Sequence, residues 1–261
     1  MPEGPSIVIL REAAAKFRGK TVRRALGNST LDLTRMEGRR VVALRSWGKH
    51  LLVEFSGFSL RVHMLMFGSY RIDERKPSPP RVSLQFDNGE LNIYASSLKY
   101  IEGRLDETYD WRTDVMNDAW DPRLARRRLK QQPDTLICDA LLDQELFAGV
   151  GNIIKNEVLF RQRVHPESTV GALPPRVLGR VIADAISGAL TYLPQILELK
   201  IVEQVMIPEA APYPAQLKGV FWVATDTQYY IAGWNTNLVK KGEEPKNYED
   251  LANPKWKDSI M

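Results

Sequence analysis

Apolar residues first recur at helical spacing at Ile7, Leu10, Ala14 and Phe17, with Gly19 placed to stop the run, which predicts one amphipathic helix over residues 6–18. From about 21 to 101 the period shortens to two. TVRRAL, RVVALRSW, KHLLVEF, SLRVHM, SYRID, RVSLQF and ELNIYA alternate apolar and polar positions, broken by Gly, Asn, Asp and the KPSPP cluster at 76–80. Such text predicts an antiparallel β-sandwich or barrel. Beyond Asp121 the period lengthens again through DPRLARRRLKQQ, TLICDALLDQELFAG, GNIIKNEVLFRQR and PPRVLGRVIADAISGALTYLPQILEL, predicting a helical second domain. Near residue 200 the composition shifts once more, to the aromatic and β-branched GVFWVATDTQYYIAGWNT and then the polar KKGEEPKNYEDLANPKWKD. The expected organisation is α+β: a β-sandwich domain with its amphipathic helix at 1–115, a helical domain at 116–200 and an atypical tail at 201–261.

Composition narrows the function classes. A chain of 261 residues has room for two ordinary cores, and no apolar run approaches the roughly 20 residues of a membrane span. The first twenty residues carry scattered charge rather than a secretory signal, so the cytoplasm is the expected address. A single cysteine, Cys138, excludes both an internal disulfide and a multi-cysteine zinc site. The net charge of +4 is uneven: residues 1–200 hold 30 Lys and Arg against 24 Asp and Glu, while the tail is acidic. A basic body is compatible with a polyanion partner.

Four places along the chain carry candidate chemistry. Removal of Met1 would leave Pro2 as a terminal secondary amine, with a reference pKa of about 8 that leaves a useful unprotonated fraction to attack an aldehyde-like carbon. Glu3 puts a carboxyl group one residue away, able to protonate a sugar ring oxygen or shuttle a proton. Gly48 and Lys49, in SWGKHLLVEF, place a cation at a hairpin turn where it could bind a phosphate or simply face solvent. HMLMFGSYR sets Leu65, Met66 and Phe67 beside Gly68, readable as an exposed apolar wedge or as a buried strand end. Gly149, Val150, Gly151 and Asn152 join two helical segments, where backbone amides could meet a phosphate or the glycines could serve packing alone.

Taken in order and spacing, MPEGP, GKHLL, the H-x-x-M-x-G pattern at 63–68 and LLDQ-x-x-x-AGVGN resemble the formamidopyrimidine-DNA glycosylase and endonuclease VIII family over about residues 1–195. The resemblance implies a catalytic β-sandwich domain, a helix–two-turn–helix DNA-binding domain and a base-excision-repair glycosylase with abasic-site lyase activity on damaged double-stranded DNA. It makes Pro2 the Schiff-base nucleophile, Glu3 the general acid, and Lys49 a phosphate-binding part of the catalytic group. Met66, with Leu65 and Phe67, becomes the wedge that fills the space of an extruded nucleotide, and Asn152 with Gly149 and Gly151 the phosphate clamp. A monomer without metal or other cofactor is expected.

The chain also departs from the family pattern. Ser6 stands where many members carry a glutamate, and the four-cysteine zinc finger that usually ends such chains has no counterpart. The text from PYPAQLKGVFW to NPKWKDSI is instead similar to a fragment of periplasmic solute-binding proteins of ABC transporters. These departures leave a second reading open, a DNA-binding remnant impaired in catalysis.

Overall fold

A computed structural model describes residues 2–198, 218–219 and 222–223. The chain divides into a unit spanning Met1–Ile201 and another spanning Val202–Met261. In the second, Lys218–Gly219 and Trp222–Val223 pair as two antiparallel strands. The remaining expectations placed on residues 201–261 lie outside the described residues.

The opening helix α1 runs Gly4–Ala13 and tightens into a 3₁₀ turn at Ala14–Phe17. Pro5 suits its first turn, where the missing N–H costs nothing, and Gly19 ends the segment at a φ of 77°. Six strands follow: β1 (Arg24–Leu26), β2 (Ala43–Trp47), β3 (His50–Glu54), β4 (Phe58–Ile72), β5 (Val82–Phe86) and β6 (Gly89–Glu102). They form one antiparallel sheet in the order β1-β5-β6-β4-β3-β2. The two runs SLRVHM and SYRID, separate in the sequence pattern, are one 15-residue strand, β4. Its pairing with β6 shifts register between Met64 and Ser69.

Alternation works as the pattern predicts. Leu51 and Val53 of β3 enter the main core with Ile7, Leu10 and Phe17 of the opening segment, while Leu52 between them enters a second cluster with Ile101, Leu105 and Tyr109. Phe17 stacks on Phe86 with ring centroids 4.5 Å apart, fixing the 3₁₀ turn to β5.

After the short helix α2 (Leu105–Thr108), the helical lobe comprises α3 (Pro122–Lys130), α4 (Ile137–Leu142), α5 (Asn152–Gln162) and α6 (Pro175–Glu198). Asp121 caps α3 by accepting from the Arg123 N–H at 2.8 Å. The helical pattern over TLICDALLDQELFAG resolves into the six-residue α4 followed by turns. These helices share a core of their own that includes Leu129, Leu141, Phe147, Val158 and Val181. No helix among the described residues is long and apolar enough to cross a membrane.

Phe147 is fully buried in the turns between α4 and α5, with its ring 5.7 Å from Trp120. Phe147→Ala is expected to cost about 3–5 kcal/mol of stability, because the lobe cannot collapse onto so large a void. Urea unfolding of the two proteins measures it.

Candidate active site

Glu3 is the meeting point of the two lobes. It precedes α1 in extended conformation, is only 3% exposed, and its carboxylate reaches the start of α5. There Oε1 accepts from the Ile153 N–H at 2.8 Å, and Oε2 from the N–H groups of Gly151 and Ile154 at 3.2 Å each. A helix start presents unsatisfied N–H groups and partial positive charge, so a carboxylate supplied from 150 residues away in sequence replaces the local cap that Gly151 cannot provide.

Glycines make that approach possible. A Cβ on Gly151 would lie 2.4 Å from Glu3 Oε1 and 2.5 Å from its carboxyl carbon. One residue along, the Gly4 N–H donates to the Gly149 carbonyl at 2.8 Å. Gly149 has a left-handed φ of 100°, and a Cβ on Gly4 would stand 3.0 Å from its Cα. Gly48, with a φ of 54°, brings the β2–β3 turn against the same segment. Backbones from the amino-terminal segment, the hairpin and the helical lobe therefore pack directly on one another.

Lys49 follows Gly48 and is half-buried. Burial lowers its pKa, and the negative charge of Glu3 acts in the opposite direction. Pro2, half-buried, lies next to Glu3 in the chain. The structure thus gathers Pro2, Glu3, Lys49, Gly149 and Gly151 into one neighbourhood.

The other expected site residues are on its margins. Leu65, Met66 and Phe67 are 48%, 69% and 84% exposed at the register shift in β4, an apolar tip rather than a buried strand end. Asn152 is exposed at the first turn of α5, where its Oδ1 accepts from Lys155 Nζ at 3.1 Å. The amides of Gly149 and Gly151, expected to face a phosphate, are already bonded to Gln144 Oε1 and Glu3 Oε2. The glycines shape the turn, and Asn152 supplies the outward polar group. Ser6 is half-buried in α1. Cys138 is half-buried beside Asp139, and among the described residues no three His, Cys, Asp or Glu side chains are grouped to hold a metal ion.

Residues without a role in the sequence analysis also build the site. Gln144 of LLDQ donates to the carbonyls of Leu142 and Val150 at 2.7 and 3.1 Å and accepts from the Gly149 N–H, fixing the glycine turn from within. His50 and His63 face each other across β3 and β4 with rings 5.1 Å apart, and Tyr109 Oη lies 3.3 Å from His50 Nδ1. Burial, then Arg61 and His63, push His50 down to about 3; burial, then Arg61 and Lys49, lower His63. Trp47 Nε1 donates to the Asp110 carbonyl at 3.1 Å, tying the hairpin to the segment after α2. Cross-strand register brings His50 and His63 together, and no spacing in the sequence reports it.

Apart from Tyr109 and Asp110, the residues in this arrangement fall inside two family matches. Residues 1–99 match the model for the formamidopyrimidine-DNA glycosylase N-terminal domain, and residues 113–191 that for its H2TH domain. The DNA-(apurinic or apyrimidinic site) lyase Nei2 of Mycolicibacterium smegmatis is 33% identical over 193 residues, covering 69% of this chain and 75% of that protein. The formamidopyrimidine-DNA glycosylase of Carboxydothermus hydrogenoformans is 30% identical over 185 residues, covering 66% and 70%. The Lactococcus lactis formamidopyrimidine-DNA glycosylase, solved non-covalently bound to DNA containing an abasic site, shares the fold with a TM-score of 0.65 at 20% identity, covering 76% of this chain and 85% of that one.

Two outcomes follow from this geometry. Gly151→Ala drives a methyl group into the Glu3 side chain and should cost about 1–3 kcal/mol, measured by thermal melting. His50, held to about 3 against an ordinary 6.5, stays neutral from pH 5 to 8, and its ring resonances should not titrate there by NMR. Between those two values the unfolded chain binds a proton at His50 that the folded protein refuses. This group therefore makes stability fall as pH drops from about 6.5 towards 3.

Proposed function

The chain belongs to the formamidopyrimidine-DNA glycosylase and endonuclease VIII family, and on that premise we propose that it removes damaged bases from double-stranded DNA and cleaves the abasic site through a Schiff base at Pro2. The observation that carries this reading is the convergence of Glu3, the residue after Pro2, with the α5 amides and with Lys49. Segments far apart in sequence are held together at the one place where a terminal amine would stand.

With Met1 removed, the Pro2 nitrogen attacks the deoxyribose C1′, the bond from C1′ to the base breaks, and the base leaves with a proton. Proton transfer to the ring oxygen opens the sugar and leaves a Schiff base between Pro2 and C1′. Glu3 carries that proton. Loss of a C2′ proton then expels the 3′ phosphate, and water releases Pro2. Lys49, desolvated and next to Glu3, binds a phosphate of the strand being cut. Met66 with Leu65 and Phe67 enters the stack where the nucleotide has turned out, which accounts for three large apolar side chains left in solvent. Asn152 binds the backbone of the same strand from the α5 side through its NH₂ group.

The division of labour proposed is catalysis from residues 1–115 and DNA grip from 116–200.

Borohydride trapping on abasic-site DNA tests the reading. The mature protein should form a covalent adduct and nick the strand. Pro2→Gly or an amino-terminal extension should reduce trapping to background, and Glu3→Gln should slow ring opening, and with it Schiff-base formation and nicking, by about 10²–10⁴-fold. Equal trapping by an amino-terminally blocked form would sink the Pro2 assignment. Salt-sensitive duplex binding without nicking on any lesion would favour the impaired remnant instead.

A further inference from the structure

The apolar tip on β4 is an excursion from the sheet. β4 and β6 pair as far as Met64↔Ser96 and resume at Ser69↔Tyr94, so residues 65–68 stand on one strand where the other has Ala95 alone. Ala95 takes a left-handed φ of 47°, a conformation that residues with a side chain adopt at a cost. Gly68 lets the excursion close. A Cβ there would lie 2.6 Å from Met64 Cβ and 2.9 Å from the Leu65 carbonyl oxygen. Three large apolar side chains on such a loop would gain by folding back over the sheet, out of water. Leu65, Met66 and Phe67 are exposed instead.

The segment after β4 bears on that outcome. Leu91 and Ile93 of β6 enter the main core, so Glu90, Asn92 and Tyr94 project to the opposite face. Glu74, Arg75 and Lys76 lie along these three. Asn92 Nδ2 donates to the Glu74 carbonyl at 2.8 Å, Arg75 Nε to Glu90 Oε1 at 2.7 Å, and the Lys76 N–H to Tyr94 Oη at 2.9 Å. With its backbone fixed there, Lys76 turns its side chain to the pair that closes the tip. Its Nζ donates to Ser69 Oγ at 2.6 Å and stands 5.2 Å from the centroid of the Tyr94 ring. Glu74 and Glu90 pair with Arg71 and Arg75, so the partners of this ammonium are a hydroxyl and an aromatic ring.

We propose that Lys76 is a positioning residue for the apolar tip, locking the Ser69–Tyr94 pair so that Leu65, Met66 and Phe67 stand clear of the sheet, ready to enter a base stack. The proposal rests on the reading that this tip enters DNA.

Duplex DNA with 2-aminopurine beside an uncleavable abasic analogue reports insertion, because unstacking raises the fluorescence of that base. At saturating protein Lys76→Met should give a smaller rise than wild type. On the same duplex with a true abasic site it should slow single-turnover nicking by about tenfold, the order of one hydrogen bond from a charged donor. Ser69→Ala removes the acceptor and keeps the charge. It should act in the same direction, and the double variant should be no worse than Lys76→Met alone. The dependence of duplex affinity on salt should keep its slope, and a slope reduced by about one makes Lys76 a phosphate contact and overturns the proposal. An unchanged fluorescence rise, or additive effects of the two substitutions, overturns it equally. If Met66→Ala with Phe67→Ala leaves the wild-type rise intact, the tip does not enter DNA and the functional reading of it fails. Hydrogen exchange over residues 64–72 of the DNA-free protein separates the two failures: it should be faster in Lys76→Met, and unchanged exchange means that the clasp does not hold the tip.

Discussion

The carboxylate of Glu3 at the start of α5 is the constraint on which the rest of the site depends. A helix begins with N–H groups that have no partner within the helix, and burying them unpaired costs roughly 1–3 kcal/mol apiece. Three of these groups at the start of α5 find the same side chain, carried by the third residue of the protein. The amino-terminal segment is consequently a structural member of the helical lobe, although its own helix packs in the core of the sheet. A mobile terminus could not hold an amine at a fixed distance from a sugar carbon. Here the neighbouring residue is fixed from both sides.

Close packing of backbone follows from that constraint. For Glu3 to reach the amides, the strand-like stretch before α1 must lie on the glycine turn, and the hairpin carrying Lys49 must lie on it too. Gly4, Gly48, Gly149 and Gly151 are where these segments touch, and each lacks the methyl group that would separate them. Gln144 then takes over the polar groups of the turn that the glycines leave without side-chain help.

Charge is distributed accordingly. Around the hairpin root the histidines are neutral, because burial and the nearby Arg61 both oppose protonation, and the positive charge is left to Lys49 and Arg61. Polar atoms such as His63 Nδ1 and Arg61 Nε are buried without a protein partner, next to a lysine whose solvation is incomplete. Lys49, only half-buried, is a cation of this group that solvent still reaches. The apolar tip at Leu65–Phe67 complements it, presenting large side chains to solvent where the register of β4 breaks.

By itself the sequence determined the type of nearly every element up to residue 198, because core-facing positions repeat every two residues in strands and every three or four in helices. Its motifs also marked Pro2, Glu3, Lys49, the 65–67 tip and the glycine turn as the places to look. Tertiary structure decided what those residues do to each other. It joined two apparent strands into β4, since a register shift leaves no mark in periodicity, and it turned Glu3 into a cap for a helix that begins 149 residues later. It also brought Asp114, Gln144, His50 and His63 into the site. Register between β3 and β4 places the two histidines and the bridge to Ala148 places Asp114, pairings between distant segments of which local spacing carries no record, while Gln144 acts within its own turn.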